Sequence, residues 1–377
     1  MSIKAETSFS LKDDLFNRHT VAELGAALLE AHPTFARRAF ERNASRAFAN
    51  LELKERINFL VEEAHRHLPA DIEAARAIWL AALPEPLDPE RTDDDFGRFI
   101  WVVPGEYMAR YGCSAGQLEK SLEFLRETTK RFSAESAIRP FLSEFPEATM
   151  AHVRRWASDG NYHVRRLASE GIRPFLPWAA RVVLPVRDVV AVLDTLYADP
   201  TRYVTRSVAN NLNDLSRIEP DAVLMALERW SREGRQAAGE LDWMTRHALR
   251  TLLSADDPTA LSMVGYPLDP EFRLSRIDVS SEVKVGENLT WQAMLASGKA
   301  QRLKIALKVD FLKANGRHAA KVFKVKDVEL GAGERVAIAK SIRFKPMTTR
   351  VLYPGKHYVE LVVNGVSRGK RAFELRA

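Results

Sequence analysis

The chain has 377 residues, 46% of them apolar and 28% charged, which is the composition of a folded protein long enough for two or three domains. No run approaches the ~20 apolar residues of a membrane span, and the first ten residues lack the apolar core of a secretory signal. A single cysteine, Cys113, excludes an internal disulfide and a cysteine-rich metal site. We therefore expect a cytoplasmic protein with no metal site and no cofactor.

The net charge of +6 is unevenly divided along the chain. Residues 1–270 carry 34 Lys and Arg against 40 Asp and Glu, a net −6, whereas residues 271–377 carry 22 against 10, a net +12. Residues 131–250 contain 17 arginines and no lysine, and arginine suits bidentate contacts with phosphate. A polyanion is therefore the first partner to consider, although a GC-rich genome would also replace lysine with arginine.

Residues 11–265 show apolar positions three or four apart, which predicts a series of amphipathic helices. Within this part the segment SAESAIRPFL (133–142) recurs as LASEGIRPFL (167–176), which places Glu135 and Glu170 35 residues apart. A helical period of about 35 to 40 residues is typical of a solenoid of stacked helix pairs with a concave surface.

After about residue 271 the apolar period changes from 3.6 to 2, and seven alternating segments predict strands. Turn sequences such as Asn315-Gly316 and Asn364-Gly365 separate them. About seven strands in about 105 residues are typical of an immunoglobulin-like sandwich. The predicted fold class is therefore an all-α HEAT-like-repeat solenoid over residues 1–268, followed by a small all-β immunoglobulin-like sandwich over residues 271–377.

The repeated glutamates are the most informative feature of the helical part. Glu135 lies four residues before Arg139, and Glu170 lies four after Arg166 and three before Arg173, so each carboxylate can pair with a guanidinium on its own helix. A proline follows Arg139 and another follows Arg173, which predicts that both helices kink or end there. Either these breaks aim both carboxylates toward one cleft, or the pairs are ordinary intrahelical ion pairs repeated by duplication.

Tryptophans and arginines also recur with the repeats. Trp156, Trp178 and Trp243 fall in successive repeats, and an aromatic face near a carboxylate is a common receptor for an organic cation. The alternative is that these tryptophans fill the core between helix layers. Arginines at repeat spacing predict a ladder of phosphate contacts, formed by Arg154, Arg155, Arg165, Arg166, Arg206 and Arg246. A solvated surface is the alternative for any one arginine pair.

Three segments carry a family resemblance: HVRRWASDGNYHVRRLASEGIRPFLPWA (152–179), SAESAIRPF (133–141) and RSVANNLNDLSR (206–217). Together they resemble the AlkC branch of the HEAT-like-repeat DNA glycosylases, the alkylation-repair family that includes AlkD, over about residues 115–255. The C-terminal sandwich resembles the immunoglobulin-like extension of some AlkC-type proteins.

The resemblance implies a DNA glycosylase of base excision repair. Such an enzyme hydrolyses the N-glycosidic bond of cationic alkylated bases, N3-methyladenine and N3-methylcytosine, without base flipping. The implied partner is double-stranded DNA carrying alkylated bases, bound by a monomer associated with the nucleoid in a bacterial cytoplasm, and the basic sandwich is expected to contact that DNA. The alternative hypothesis is a non-catalytic HEAT-repeat scaffold that binds bent or branched DNA or a protein partner.

The resemblance also implies roles for individual residues. Glu135 and Glu170 match the two glutamates of the family's Glu-x-x-x-Arg-Pro and Ser-Glu-Gly segments, and Asp214 falls in its Asn-Leu-x-Asp segment. These carboxylates would stabilise the positive charge of an oxocarbenium-like transition state and position water. Trp178 would face the lesion, with Trp156 and Trp243 as further candidates, and the six arginines would hold phosphates.

Overall fold

The computed structural model describes residues 10–91, 93, 96–345 and 351–377. The chain divides into two compact units, Met1–Ala248 and Leu249–Ala377. Helices form the first unit and strands form most of the second, which confirms the predicted fold class. Among the described residues, no helix is long and apolar enough to cross a membrane.

The first unit consists of short helices joined by turns. Its α-helices are α1 (Leu11–Leu15), α2 (Arg18–Ala31), α3 (Arg37–Ala47), α4 (Leu53–His67), α5 (Ile72–Ala82), α6 (Val102–Tyr111), α7 (Leu118–Thr128), α8 (Arg139–Glu144), α9 (Pro146–Trp156), α10 (Tyr162–Glu170), α11 (Val186–Leu196), α12 (Arg202–Leu215), α13 (Pro220–Glu233) and α14 (Ala238–Ala248). Two 3₁₀ helices, Phe48–Asn50 and Phe99–Trp101, precede α4 and α6.

Packing between alternate helices gives the first unit its repeat character. Helix α10 packs against α12, α12 packs against α14, and α11 packs against α13. This is the contact pattern of stacked helix pairs, in which each pair buries its apolar face against the next. Buried side chains of these helices, such as Leu167, Leu212 and Trp230, form the core between the layers.

Helix α10 shows how the local sequence positions a carboxylate. The Asn161 side chain caps its first turn by accepting from the His163 backbone N–H at 2.9 Å. The helix ends at Glu170, and Gly171 follows with a helical φ of −63° at a place where the chain packs closely against Ile138. A Cβ atom on Gly171 would lie 2.8 Å from Ile138 Cγ2 and 3.0 Å from the Leu167 carbonyl oxygen, so a larger residue does not fit there without a shift.

In its described residues, 249–345 and 351–377, the second unit begins with two short helices and continues as eight strands. They are α15 (Arg250–Ser254), α16 (Pro258–Met263), β1 (Phe272–Val279), β2 (Glu282–Lys284), β3 (Asn288–Ser297), β4 (Gln301–Leu312), β5 (His318–Leu330), β6 (Arg335–Arg343), β7 (Gly355–Val363) and β8 (Val366–Arg376). Strand β2 was not predicted, since three residues are too few to show an alternation.

The strands form two sheets that enclose an apolar core. One sheet has the order β1-β3-β6 and the other β2-β8-β7-β4-β5. Neighbouring strands are antiparallel except β2 and β8, which are parallel. Strand β3 alternates as its sequence predicts, with Leu289, Trp291 and Leu295 buried. Asn364 and Gly365 both have positive φ, 50° and 78°, as expected for the tight turn between β7 and β8.

The division between the units lies 20 residues before the predicted end of the helical domain at residue 268. Polar contacts attach the segment 249–270 to the strands. Lys304 Nζ lies 2.6 Å from Asp256 Oδ1, and the Tyr266 hydroxyl donates to Asp327 at 2.7 Å. The short helices α15 and α16 therefore belong with the sandwich, although their sequence continues the helical pattern.

Candidate active site

Three predicted carboxylates are linked by two arginines in the first unit. Arg166 contacts both Glu135 and Glu170, and Arg173 contacts both Glu170 and Asp214. We call these five residues the carboxylate network. The network joins the turn before α8 to the end of α10 and to α12, so it connects successive repeats.

Glu170 lies at the centre of the network and is 4% exposed. Its Oε1 accepts from Arg173 Nη1 at 2.5 Å and lies 3.6 Å from Arg166 Nη2, while its Oε2 accepts from Ser207 Oγ at 2.6 Å. Burial raises the pKa of Glu170, but the two guanidinium groups and the hydrogen bonds outweigh burial and lower this pKa overall. Glu170 is therefore an ionised carboxylate despite its burial.

Asp214 completes the buried end of the network. It is 3% exposed and accepts from Arg173 Nε at 2.9 Å. Since Arg173 is held by two carboxylates, its planar guanidinium is fixed in orientation. The predicted pairing of Glu170 with both Arg166 and Arg173 is thus present, and Asp214 joins it from the next repeat.

Glu135 lies at the accessible end of the network, with 29% of its side chain exposed. The prediction that Glu135 pairs with Arg139 is wrong. Glu135 precedes α8 in a turn, and its Oε2 contacts Arg166 of the next repeat and accepts from Ser133 Oγ at 2.7 Å. Because residues 135–138 are not helical, the four-residue spacing does not place Glu135 and Arg139 on one helix face.

Arg139 instead binds the backbone of the following repeat. Its guanidinium donates to the carbonyls of Ala180, Gly171 and Arg173. Burial and the nearby Arg173 lower the pKa of Arg139 to about 10. The predicted effect of the prolines is only partly correct: α10 ends before Pro174, but Pro140 lies in the first turn of α8 and starts that helix.

A cleft of about 450 Å³ opens beside Glu135. Its polar wall includes Glu106, Glu135 and Ser136, and Trp178 lies at its edge. The apolar wall is formed by Phe99, Val102, Phe132 and Leu176. The structure thus brings Glu135 and Trp178 to one cleft, while Glu170 and Asp214 lie in the network behind Glu135.

Trp178 presents its ring to solvent, with 71% of the residue exposed. Its φ is 62°, a conformation that non-glycine residues rarely adopt. The Trp178 carbonyl accepts from Lys54 Nζ of the distant helix α4. Trp178 is therefore an exposed ring at the cleft whose backbone is attached to α4.

The other two tryptophans differ from Trp178. Trp156 is 2% exposed and packs edge-on against His152. Its assignment to a ligand-facing surface is wrong, because the ring belongs to the core. Trp243 is half-buried, stacks on His247, and lies under the Arg202 guanidinium at 3.9 Å. Neither ring lines the cleft.

Five of the predicted phosphate-binding arginines have partners within the chain, namely Arg155, Arg165, Arg166, Arg206 and Arg246. Arg165 donates to both oxygens of Asp199 at 2.5 and 3.2 Å, and Arg166 belongs to the carboxylate network. Arg206 forms an ion pair with Asp93, and Arg246 forms one with Asp242. A phosphate contact by any of these arginines requires exchange of an existing ion pair. For Arg165 and Arg166 the buried carboxylate partners make that exchange unfavourable.

Arg154 and Arg155 lie at the end of α9. Both are exposed, and Arg155 lies 3.5 Å from Glu119 and 2.8 Å from the Nδ1 atom of His152. Exposed ion pairs contribute little to stability, so Arg155 can readily leave its carboxylate partner for a phosphate. Arg154 and Arg155 therefore remain the best placed of the predicted phosphate contacts.

Sequence reasoning missed two polar residues of the cleft, Glu106 and Lys54. Glu106 lies on α6 between buried residues, since Val102–Gly105 and Tyr107–Ala109 are all buried. A single carboxylate inside an apolar helix is unusual and is a signal that the sequence does offer. Lys54 carries no such signal, because it is one of several charged residues at the start of α4.

The charged groups at the cleft are of both signs. The network holds three carboxylates and two guanidinium groups, Glu106 adds a carboxylate, and Lys54 and Arg139 add two cations. The accessible oxygen atoms of the network belong to Glu135. Among the described residues, no group of His, Cys, Asp and Glu side chains is arranged to hold a metal ion.

Comparison with known proteins agrees with both units. The family described as "DNA alkylation repair enzyme" matches residues 126–252, and that described as "Uncharacterised protein YhaZ, C-terminal Ig-like domain" matches residues 273–377. The protein YhaZ of Bacillus subtilis (strain 168) is 29% identical over 367 residues, which cover 96% of this chain and 98% of YhaZ.

A solved structure is similar over the whole chain. It is the alkylpurine DNA glycosylase AlkC of Pseudomonas fluorescens, bound to DNA containing an abasic site analog. It is 33% identical, has a TM-score of 0.78, and the match covers 98% of this chain and all of AlkC. The chain therefore belongs to the AlkC-type family of DNA alkylation repair glycosylases and carries its C-terminal immunoglobulin-like domain.

Proposed function

We propose that the protein is a DNA glycosylase of base excision repair that releases cationic alkylated bases, N3-methyladenine and N3-methylcytosine, from double-stranded DNA. The observation that carries the proposal is the cleft in which Glu135, backed by the buried carboxylate network, lies beside the exposed Trp178. The similarity to AlkC, solved with DNA that contains an abasic site analog, supports DNA as the partner.

The chemistry of the lesion matches this site. Alkylation at a ring nitrogen makes the base a cation, and the base leaves as a neutral molecule when it takes the electrons of the C1′–N bond. No acid is needed to protonate the leaving group, so catalysis depends on stabilising the positive charge that develops on the sugar. Glu135 supplies a fixed negative charge for this purpose, and the water that adds to C1′ releases a proton to solvent.

An open cleft also fits a mechanism without base flipping. An enzyme that extrudes its target base needs a deep pocket that encloses the base. Here the receptor is an exposed ring at the edge of a cleft, which can meet a nucleotide that stays in the duplex. We therefore expect contacts with the lesion from outside the base stack.

Release of free bases from methylated duplex DNA tests the proposal. Wild-type protein is expected to release N3-methyladenine and N3-methylcytosine and to leave abasic sites. Tight binding of the duplex without release of any base would contradict the proposal and favour the non-catalytic scaffold.

Replacement of Trp178 tests the receptor face. Trp178→Ala is expected to lower the excision rate about tenfold, because a cation–π contact contributes about 0.5 to 2 kcal/mol. The melting temperature is expected to stay unchanged, since the ring is 71% exposed. Met225→Ala is the matched control, because Met225 is 66% exposed and is not part of the cleft. Equal rates for the two variants would remove Trp178 from the site.

The basic sandwich is proposed to contact the DNA backbone. Lys321, Lys324 and Lys326 are exposed on β5, which lies at the edge of its sheet. Replacing all three with glutamine in the full-length chain is expected to lower DNA affinity and to flatten the salt dependence of log K by about 1 to 3 units of slope. A salt titration of binding measures this slope. An unchanged slope would indicate that this strand does not touch DNA.

A further inference from the structure

Glu106 is a cleft carboxylate outside the carboxylate network. It projects from α6 into the wall that Glu135 and Trp178 also line. Its Oε1 accepts a 2.5 Å hydrogen bond from Ser136 Oγ, the residue next to Glu135. The two glutamates therefore share one short segment of the cleft wall, although they lie in different helical repeats.

Glu106 differs from the other three carboxylates in its charge environment. Glu135, Glu170 and Asp214 each contact an arginine, whereas Glu106 forms no ion pair with any residue that the structure describes. Burial raises the pKa of Glu106, and Ser136, Lys54 and Arg110 offset this effect only in part. A half-buried carboxylate without a paired cation is costly for a fold.

A second charged residue of the cleft wall, Arg139, is almost completely buried. Arg139 is 1% exposed and lines the cleft, and its Nη2 has no hydrogen-bond partner among the described residues. That nitrogen atom is buried, so a ligand in the cleft meets Glu106 and not Arg139 Nη2. A ligand that carries a positive charge would compensate the Glu106 carboxylate.

We propose that Glu106 is a recognition residue for the positively charged ring of the alkylated base. This inference rests on the proposed function and adds a residue that selects cationic over neutral bases. Glu135 acts on the sugar and Glu106 on the base, while Trp178 provides the aromatic face. Ser136 positions Glu106.

The variant Glu106→Gln removes the charge and keeps the shape of the side chain. Its kcat/KM for N3-methyladenine is expected to fall about tenfold. Wild-type kcat/KM is expected to rise with pH as Glu106 ionises, and the variant is expected to lack that rise. Ser136→Ala keeps the charge of Glu106 and is expected to lose less activity than Glu106→Gln. Glu123→Gln is the control, since Glu123 is 58% exposed on α7 and is not part of the cleft.

Thermal unfolding separates this role from a structural one. Because burial raises the pKa of Glu106, its ionised form disfavours the fold at neutral pH. Glu106→Gln is therefore expected to melt at the same or a higher temperature at pH 7. A lower melting temperature together with unchanged kcat/KM would overturn the proposal and make Glu106 a structural residue.

A small cation tests the inference independently of base release. The 1-methylpyridinium ion is expected to quench the fluorescence of Trp178, and Glu106→Gln is expected to weaken its binding several-fold. The same titration of Trp178→Phe shows whether the quenched fluorescence comes from Trp178. If the wild type releases no base but binds this cation through Glu106, the proposed function fails and the recognition role stands. Equal affinity of wild type and Glu106→Gln for the cation would overturn the recognition role.

Discussion

Glu135→Gln is expected to lower the rate of base excision by about 10²- to 10³-fold while DNA affinity changes little. Glu135 is the network carboxylate that lines the cleft, and its charge acts mainly in the transition state, where positive charge develops on the sugar. The amide keeps the size of the side chain and can still accept the hydrogen bond from Ser133. Single-turnover rates on methylated duplex DNA, together with binding measured on the same duplex, give both quantities.

The fold is expected to tolerate this change. Arg166 keeps Glu170 as a partner at 3.6 Å, and 29% of the Glu135 side chain is exposed, so the loss of stability is expected to be smaller than for Glu170→Gln. Full excision by Glu135→Gln would contradict the role of Glu135 and leave its contact with Arg166 as a structural ion pair.

Glu170→Gln is expected to have the larger effect on stability, lowering the free energy of unfolding by about 3 kcal/mol. Glu170 is 4% exposed, and its loss leaves Arg166 and Arg173 with one carboxylate each. Removing one partner from a buried ion-pair network leaves the remaining charge poorly compensated. A loss of excision in this variant therefore has to be measured on protein that is shown to be folded.

The acid dependence of this effect follows from the lowered pKa of Glu170. A carboxyl group with a lowered pKa in the folded state stabilises the fold above its unfolded value, here 4.5, and the contribution is lost as pH falls through the folded pKa. The stability difference between wild type and Glu170→Gln is expected to be constant from pH 7 to about pH 5 and to shrink at lower pH. Chemical denaturation at several pH values measures this difference.

Glu63→Gln provides the matched control for Glu170→Gln. Glu63 is 1% exposed on α4, contacts Arg66, His67 and Asn43, and is not part of the cleft. Its replacement is expected to lower stability but to leave the excision rate of the folded protein unchanged. If Glu170→Gln also excises at the wild-type rate when folded, Glu170 has a structural role only.

The sequence located the carboxylates but not their arrangement. The duplicated segment identified Glu135 and Glu170 because duplication preserves spacing, and it also predicted the pairing of Glu170 with Arg166 and Arg173. The predicted pairing of Glu135 with Arg139 was wrong, because α8 begins at Arg139 in the first copy, whereas α10 ends at Glu170 in the second. Helical spacing predicts contacts only within a helix, whereas the contact of Glu135 with Arg166 crosses between repeats.

The sequence pattern also could not predict which of the tryptophans is exposed. Trp156 and Trp178 fall in successive repeats of the sequence, yet one is 2% and the other 71% exposed. The difference arises because Trp156 ends a helix that packs in the core, whereas Trp178 lies in a turn with a positive φ. The strands were easier to predict, since the alternation of β3 and β4 is a local property.

The central claim is that the site acts by stabilising positive charge, and a comparison of cationic and neutral bases tests it most directly. Matched duplexes would carry N3-methyladenine, N3-methylcytosine, uracil or hypoxanthine at the same position, and base release would be followed under single-turnover conditions. Release of the two cationic bases, with release of the neutral bases at least 10²-fold slower, is the predicted result. Comparable release of uracil or hypoxanthine would contradict it.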